Sequence, residues 1–329
     1  MGGHRRLLLV TGATGAIGPA VVASALDSGW RVRALARQDP PPGVLSPDVD
    51  LLSGDVRDSA VRRSAVEDVD CIIHLAATLH VTSAIQQAAT EYDSLNIDAT
   101  SALARDAVAR GVRRFVFFST ISVYGDTHGT IASESTPLVP GTPYARSKAA
   151  AEVALRQQCG GTSCTATVLR LAAVYGPRLK GNYLTMLDRL ARGQSLPLLP
   201  GSNRRSLVFI DDVARAALLV ADHPRAAGRT YNVTDGQVHS IATIVAAMCA
   251  ALGRDVPHVG IPSWAAAAVV NAGRPLFRGR FADVAALVDK YVEDVAIDGS
   301  AIQDELGFQP SVGLREGWRR TARETRISR

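Results

Sequence analysis

A tyrosine and a lysine stand four residues apart in Tyr144-Ala145-Arg146-Ser147-Lys148. On a helix this spacing puts both side chains on one face, one turn from each other. An ammonium beside a phenol favours the phenolate and draws the tyrosine pKa down from its ordinary value near ~10. Such a phenol can exchange protons near neutral pH. The spacing alone recurs by chance. It gains meaning from Thr11-Gly12-Ala13-Thr14-Gly15-Ala16-Ile17-Gly18 far upstream, and from the Ser/Thr-rich stretch around Ser119 and Thr120 between the two.

The glycines sit where a dinucleotide turn requires them. Leu7-Leu8-Leu9-Val10 is a short apolar run of the kind that forms a buried parallel strand, and Val21 to Leu26 reads as helix. Strand, glycine turn and helix together make the context of a dinucleotide fingerprint, here spaced GxxGxxG. The glycines let backbone approach a pyrophosphate, whose charge meets the helix N-terminus. Without a ligand the same residues would be a tight strand-to-helix turn.

Cofactor preference turns on the end of the second strand. An acidic residue about 20 positions past the glycines would bind the ribose 2′-OH of NAD, whereas arginine there accommodates the 2′-phosphate of NADP. The position is Arg37, so NADP is favoured over NAD. Arg33 lies earlier on the strand and is expected to point elsewhere, and Asp39 could serve NAD if its loop folds back.

The elements that would position these residues alternate along the chain. Strands are expected at Arg31–Ala36, Val49–Asp55, Cys71–Ala77, Arg114–Thr120 and Ala166–Arg170, with a helix from near Ile97 to Ala109. This alternation predicts a parallel sheet with right-handed crossovers, and ligands beyond the carboxyl ends of its strands. The glycines, Asp55, Ala76, Thr120 and Arg170 fall at such ends. The fold class is therefore α/β: a Rossmann-type doubly wound sheet over 1–176, then a smaller, less regular substrate-binding lobe over 177–329, with some of its segments returning to the first domain.

Of the 329 residues, 47% are hydrophobic and 20% charged, a globular composition. The net charge of +5 is spread among interspersed acids and arginines. With no basic block and no aromatic RNA motif, nucleic acid is disfavoured as a partner. Cys71, Cys159, Cys164 and Cys249 lack metal-ligand spacing, so no metal is expected and free thiols in a reducing cytoplasm are the simplest reading. The N-terminal apolar run is too short for a signal peptide, and no stretch reaches the length of a membrane span. The Ala-rich segment 261–272 reads as a packed helix.

The ordered motifs resemble the extended short-chain dehydrogenase/reductases, the nucleotide-sugar epimerase/dehydratase family. They are TGATGAIG, GDVRD, HLAA, the Asn96-Ile97-Asp98-Ala99-Thr100 helix start, FFSTISVYG, YARSK and LRLAAVYGPR. Arg205-Ser206-Leu207-Val208-Phe209-Ile210-Asp211-Asp212, Tyr231-Asn232-Val233 and the ELGFQP tail from Glu305 complete the set, which covers nearly the whole chain.

The resemblance implies a catalytic set of Thr120, Tyr144 and Lys148. Tyr144 would exchange a proton with a hydroxyl or carbonyl while the nicotinamide exchanges a hydride. Lys148 would also bind ribose hydroxyls. Thr120 would bond the substrate oxygen, with Ser119 and Ser122 as rivals; Ser119 more often touches cofactor, and a strand-end hydroxyl such as Thr120 also caps turns. Beside the glycine turn, with Ala16 and Ile17, the cofactor would meet Asp55 and Val56 at the adenine and Leu75, Ala76 and Ala77 at the fourth strand's end. Asp55 equally fits a turn residue.

Asn182 and Arg205 match positions that contact the diphosphate-sugar, and a guanidinium fork suits two phosphate oxygens. Arg204 would be a solvated neighbour. Ala173 departs from the asparagine frequent in hexose epimerases. The stretch from Gly181 to Ser206 resembles a branch acting on N-acetylhexosamines, some carried on lipid diphosphates. The implied activity is a 4-epimerase or 4-ketoreductase on a nucleotide- or diphosphate-linked sugar, in a cytoplasmic homodimer. Dehydratases place an acid/base pair after the threonine, where this chain has Ile121-Ser122. An NADPH ketoreductase acting on a non-sugar ketone, like dihydroflavonol or hydroxysteroid enzymes, is the alternative. A non-catalytic dinucleotide sensor is the third class, against which Tyr144 and Lys148 argue.

Overall fold

The computed structural model describes residues 6–78, 90–177, 179, 181–194, 203–256 and 294–325. The apolar run near the N-terminus forms strand β1 (Leu7–Thr11), buried along its whole length. Its side chains alternate between two cores: Leu8 and Val10 point into one, Leu7 and Leu9 into the other. A strand covered on both faces reads as continuous apolar sequence because neither face meets water. The strands β2 (Arg31–Ala36), β3 (Asp50–Ser53), β4 (Cys71–His74), β5 (Arg114–Thr120) and β6 (Thr165–Leu171) join it. With β9 (Thr230–Val233) they make a seven-stranded parallel sheet ordered β3-β2-β1-β4-β5-β6-β9.

Helix α1 (Gly18–Asp27) and helix α6 (Ile210–Asp222) cover one face of the sheet, where Val21, Val22 and Ala25 meet Val213, Ala217 and Val220. Helices α3 (Ala99–Ala109) and α4 (Pro143–Cys159) cover the other, through Leu103, Ala107, Ala151 and Leu155. The short α2 (Ser59–Ala65) is capped by Asp58, whose carboxylate accepts from the Ala60 N–H. The helix expected near Ile97 is entered through a π-helical turn at Asp93–Asp98.

The chain after Tyr175 is more regular than its sequence suggested. Strands β7 (Ala173–Tyr175), β8 (Arg204–Phe209) and β10 (Val238–Ser240) form a second sheet ordered β10-β8-β7. Helices α5 (Asn182–Ala191), α7 (Ile241–Leu252) and α9 (Leu314–Glu324) build a third core with it, in which Trp318 stacks on Tyr175 at 4.7 Å. Helix α8 (Ser300–Leu306) packs near β9. Both α6 and β9 come from the C-terminal half of the chain yet belong to the seven-stranded layer. Among the described residues no helix is long and apolar enough to cross a membrane. Arg178, Lys180 and the apolar segment 261–272 lie outside the described residues.

Candidate active site

The glycine turn closes the carboxyl end of β1 against β4. Gly12 adopts a φ of +67°, and a side chain there would bring its Cβ within 2.8 Å of the Ala76 nitrogen. At Gly18 a Cβ would lie 2.3 Å from the Ala13 carbonyl oxygen, a distance no real contact reaches. The turn therefore packs strand, helix and neighbouring strand at backbone range. It opens into a groove of about 530 Å³. Every residue expected to touch the cofactor lines this groove: Gly12, Gly15, Ala16, Ile17, Gly18, Arg37, Asp55, Val56, Leu75, Ala76, Ala77, Ser119, Tyr144 and Lys148. Volume, glycine packing and the α1 N-terminus together fit a dinucleotide, whose pyrophosphate those residues would hold.

At the β2 end of the groove Arg37 is exposed. Arg33 is turned away, bonded to Asp50 and to the carbonyls of Ser64, Ala65 and Glu67. Asp39 accepts from the Ser53 hydroxyl and does not line the groove. Sequence reasoning missed Arg57, which also lines it and forks onto Asp55 at 2.5–3.1 Å. The Arg57 bonds hold the Asp55 carboxyl below its ordinary range. The backbone bond from the Arg57 N–H to Asp55, two residues back, makes Asp55 a turn residue as well as a groove residue.

The end of β4 is organised by a directed chain of hydrogen bonds. Thr100 donates to the Asn96 carbonyl at 2.7 Å, so its oxygen is left to accept from His74 Nε2 at 3.0 Å. His74 Nδ1 then accepts from the Thr11 hydroxyl at 2.6 Å, and Thr11 accepts from the Ala76 N–H at 3.3 Å. This order assigns the neutral Nε2–H tautomer. Burial, helped by the Lys148 charge, pushes the His74 pKa down to about 3.

Arg170 was expected at a ligand-facing strand end, and the structure corrects this. Its side chain is buried and forks onto Glu152 at 2.7–3.0 Å, donating also to the Tyr124 hydroxyl. Ser119, which lines the groove, donates to the same carboxylate at 2.6 Å. A fully buried charge is tolerated only when paired and hydrogen-bonded, so Arg170 is a packing partner of α4. Glu152 sits one helical turn past Lys148, a spacing that could have flagged it.

Tyr144 and Lys148 share the groove at the start of α4, which Thr142 caps by accepting from the Ala145 N–H. The expected lowering of the tyrosine pKa is not what their surroundings produce. Burial, and secondarily Tyr92, pushes the Tyr144 phenol above its ordinary value. Burial also lowers Lys148 to about 7 against the opposing pull of Glu152. The Lys148 ammonium lies 3.9 Å from the Phe117 ring centroid, which offers it a π face in place of water. Lys148 is buried and Tyr144 half-buried, and desolvation is the leading cause of both shifts.

A second cavity of about 220 Å³ adjoins the groove, and Leu171 lines both. All four residues expected to touch substrate line it: Thr120, Ser122, Asn182 and Arg205. They arrive from three elements: the β5 end and the turn after it, the first residue of α5, and β8. Thr120 does cap the turn, accepting from the Ser122 N–H at 3.2 Å, and its hydroxyl also donates to Ser122 Oγ. Arg204 is not a solvated neighbour. Strand alternation sends it away from Arg205, onto Asp294 at 2.8 Å and the Thr130 carbonyl. Burial would raise Asp294, but the Arg204 bonds hold it at about 2. Apolar Leu171, Ala172, Ala173, Met186, Ile241 and Val295 form much of the remaining wall, together with Tyr183. Ala173 apart, the sequence reading passed over these, since nothing local distinguishes a pocket wall from core.

Residues 8–234 match the NAD-dependent epimerase/dehydratase family. The chain belongs to this family. It is an enzyme of the extended short-chain dehydrogenase/reductase class, as its motifs indicated. The chain is 30% identical to a UDP-glucose 4-epimerase of Vibrio cholerae over 96% of its own length and 94% of the relative's. It is also 30% identical to a dTDP-glucose 4,6-dehydratase of Streptomyces griseus, over 94% and 91% of the two chains. MoeE5, solved in complex with UDP-glucuronic acid and NAD, superposes with a TM-score of 0.77 at 28% identity, covering 97% of this chain and 98% of that one.

Proposed function

We propose that this family member oxidises or reduces C4 of a nucleotide- or diphosphate-linked sugar, as a 4-epimerase or a 4-ketoreductase. The observation that carries the reading is the junction at Leu171 of the dinucleotide groove, holding Tyr144 and Lys148, with the pocket holding Thr120, Asn182 and Arg205. When bound, an oxidised nicotinamide supplies a hydride acceptor and a positive charge. Tyr144 takes the proton of the sugar hydroxyl as it becomes a ketone, and returns it to the carbonyl oxygen in the reverse sense. Lys148 steadies the phenolate and binds the ribose. Thr120 and Ser122 bond the sugar oxygen, and Arg205 with Asn182 holds the diphosphate.

Epimerases and dehydratases both stand among the relatives. Dehydration needs a further acid and base beside the sugar. Ile121 and Ser122 occupy the positions after Thr120, and no carboxylate is among the described residues lining the pocket. This favours the 4-epimerase or reductase. Exposed Arg37, on the groove that Arg57 also lines, supports NADP; the NAD bound to MoeE5 supports NAD. A cytoplasmic homodimer is part of the same reading. The apolar pocket wall favours one alternative, an NADPH-dependent reductase of a non-sugar ketone.

The test is incubation of the purified enzyme with UDP- and dTDP-hexoses and their N-acetyl forms, with NAD, NADH, NADP or NADPH, followed by NMR of the sugar at C4. Inversion at C4, or its oxidation to the ketone by NAD or NADP as a reductase runs in reverse, is expected. Turnover of hydrophobic ketones alone, with no effect of any nucleoside diphosphate, would overturn the sugar reading.

A further inference from the structure

Two thiols face each other at the far end of the helix that carries Tyr144 and Lys148. Cys159 is the last residue of α4 and Cys164 directly precedes β6, and their Sγ atoms are 3.8 Å apart. Both are buried, Cys164 at 2% exposure and Cys159 at 7%. The turn between them is tight and well bonded. Gly161 takes a φ of +71°, open to glycine at no steric cost. The Thr162 hydroxyl donates to the Cys159 carbonyl at 2.9 Å and accepts from the Cys164 N–H at 3.1 Å. Thr162 thus holds both cysteine backbones in one frame, and the sulfurs meet inside it.

We propose that Cys159 and Cys164 form an intramolecular disulfide, a modification site outside the active centre, when the enzyme meets a low-molecular-weight disulfide. A disulfide bond measures about 2.05 Å, so the sulfurs, 3.8 Å apart, must close by roughly 1.8 Å to bond. The more exposed Cys159 attacks one sulfur of the small disulfide and releases one small thiol. Cys164 then attacks the Cys159 sulfur of the mixed disulfide and releases the second small thiol. Two protein thiols are oxidised, one small disulfide is reduced to two thiols, and both thiol protons leave with them. Neither cysteine lines the groove or the pocket. The bond would fasten the α4 C-terminus to β6, the strand that ends at Leu171 between the two cavities.

The chain's other two thiols are built-in controls. Cys71 lies on β4, where burial pushes its thiol up to about 12, and Cys249 is buried on α7.

The test treats the full-length native protein with oxidised glutathione, then unfolds it and alkylates the remaining thiols before mass analysis. The chain has four cysteines, so two alkylated thiols and no retained glutathione are expected. Trypsin cuts after Arg156 and Arg170, so a single peptide carries both cysteines, and it should be lighter by two hydrogens. Cys164→Ser should instead trap a glutathione adduct on Cys159. Four alkylated thiols in the treated wild type, a lasting adduct on it, or pairing of Cys159 with Cys71 or Cys249 would overturn the proposal. The wild-type mass decides the question even if the variant fails to fold.

Discussion

Tyr144 is the residue on which the proposed chemistry turns, and its environment sets a specific demand. Burial favours the neutral phenol. A base at this position therefore needs positive charge nearby, which Lys148 supplies only while protonated, and Lys148 is held at about 7. Removing the Tyr144 hydroxyl while keeping the ring should leave dinucleotide binding intact. Tyr144→Phe should lower kcat on a competent sugar substrate about 10²–10⁴-fold. Fluorescence titration should give a dinucleotide Kd within about twofold of the wild type; unaltered turnover would remove Tyr144 from the reaction. On the NADP reading, Arg37 would hold the 2′-phosphate. Arg37→Asp should weaken NADP binding and leave NAD binding unchanged or improved. Parallel titrations of both cofactors check this, and an unchanged preference ratio would leave Arg37 as a surface arginine at the groove rim.

The glycine turn and β4 act as elements, because their backbones rather than their side chains shape the groove. A methyl group at Gly18 has no room beside the Ala13 and Gly12 carbonyls, so the start of α1 would have to move. Gly18→Ala should cost roughly 1–3 kcal/mol of stability and weaken dinucleotide binding; urea denaturation and a binding titration measure the two losses. On β4, His74 is neutral when folded, with a pKa near 3 against 6.5 when free. Between those values the unfolded chain binds the proton and the folded chain does not. Stability should therefore fall as the pH drops through that window, by an amount on the order of a few kcal/mol. His74→Gln has no titrating ring, and its urea midpoint should fall less steeply from pH 6.5 to 3. Parallel slopes for the two proteins would mean that His74 takes up its proton without opposing the fold.

At the scale of the whole molecule, the pocket exists because β8 of the second sheet brings Arg205 to the carboxyl end of the first. Arg205 is buried at 8% exposure, donating to the Arg204 carbonyl along its own strand. A charge-assisted contact with a diphosphate is worth about 1.5–3 kcal/mol, roughly ten- to a hundredfold in affinity. Arg205→Ala should raise KM for a diphosphate-linked sugar by that factor. A phosphate held equally in ground and transition states is uniform binding, so kcat should fall less than kcat/KM. The variant should also lose inhibition by UDP or dTDP. A wild type that no nucleoside diphosphate inhibits would point to an uncharged ketone substrate.

Much of this architecture follows from local sequence. An apolar run, three glycines and a helix read as a dinucleotide turn because strand burial and helix termini are local properties. Tyr144 and Lys148 share a face because helical periodicity fixes it, and the expected groove residues converge because parallel strands all end on one side. Other features depended on what covers each group. Arg170 stands at a strand end like a ligand contact, yet Glu152, Ser119 and Tyr124 close over it. Arg204 and Arg205 are neighbours in sequence, and only the packing of Asp294 against one and the pocket against the other separates them. The ionisation of Tyr144, Lys148 and His74 is likewise tertiary, because desolvation is set by the walls around a group and not by the residues beside it in the chain.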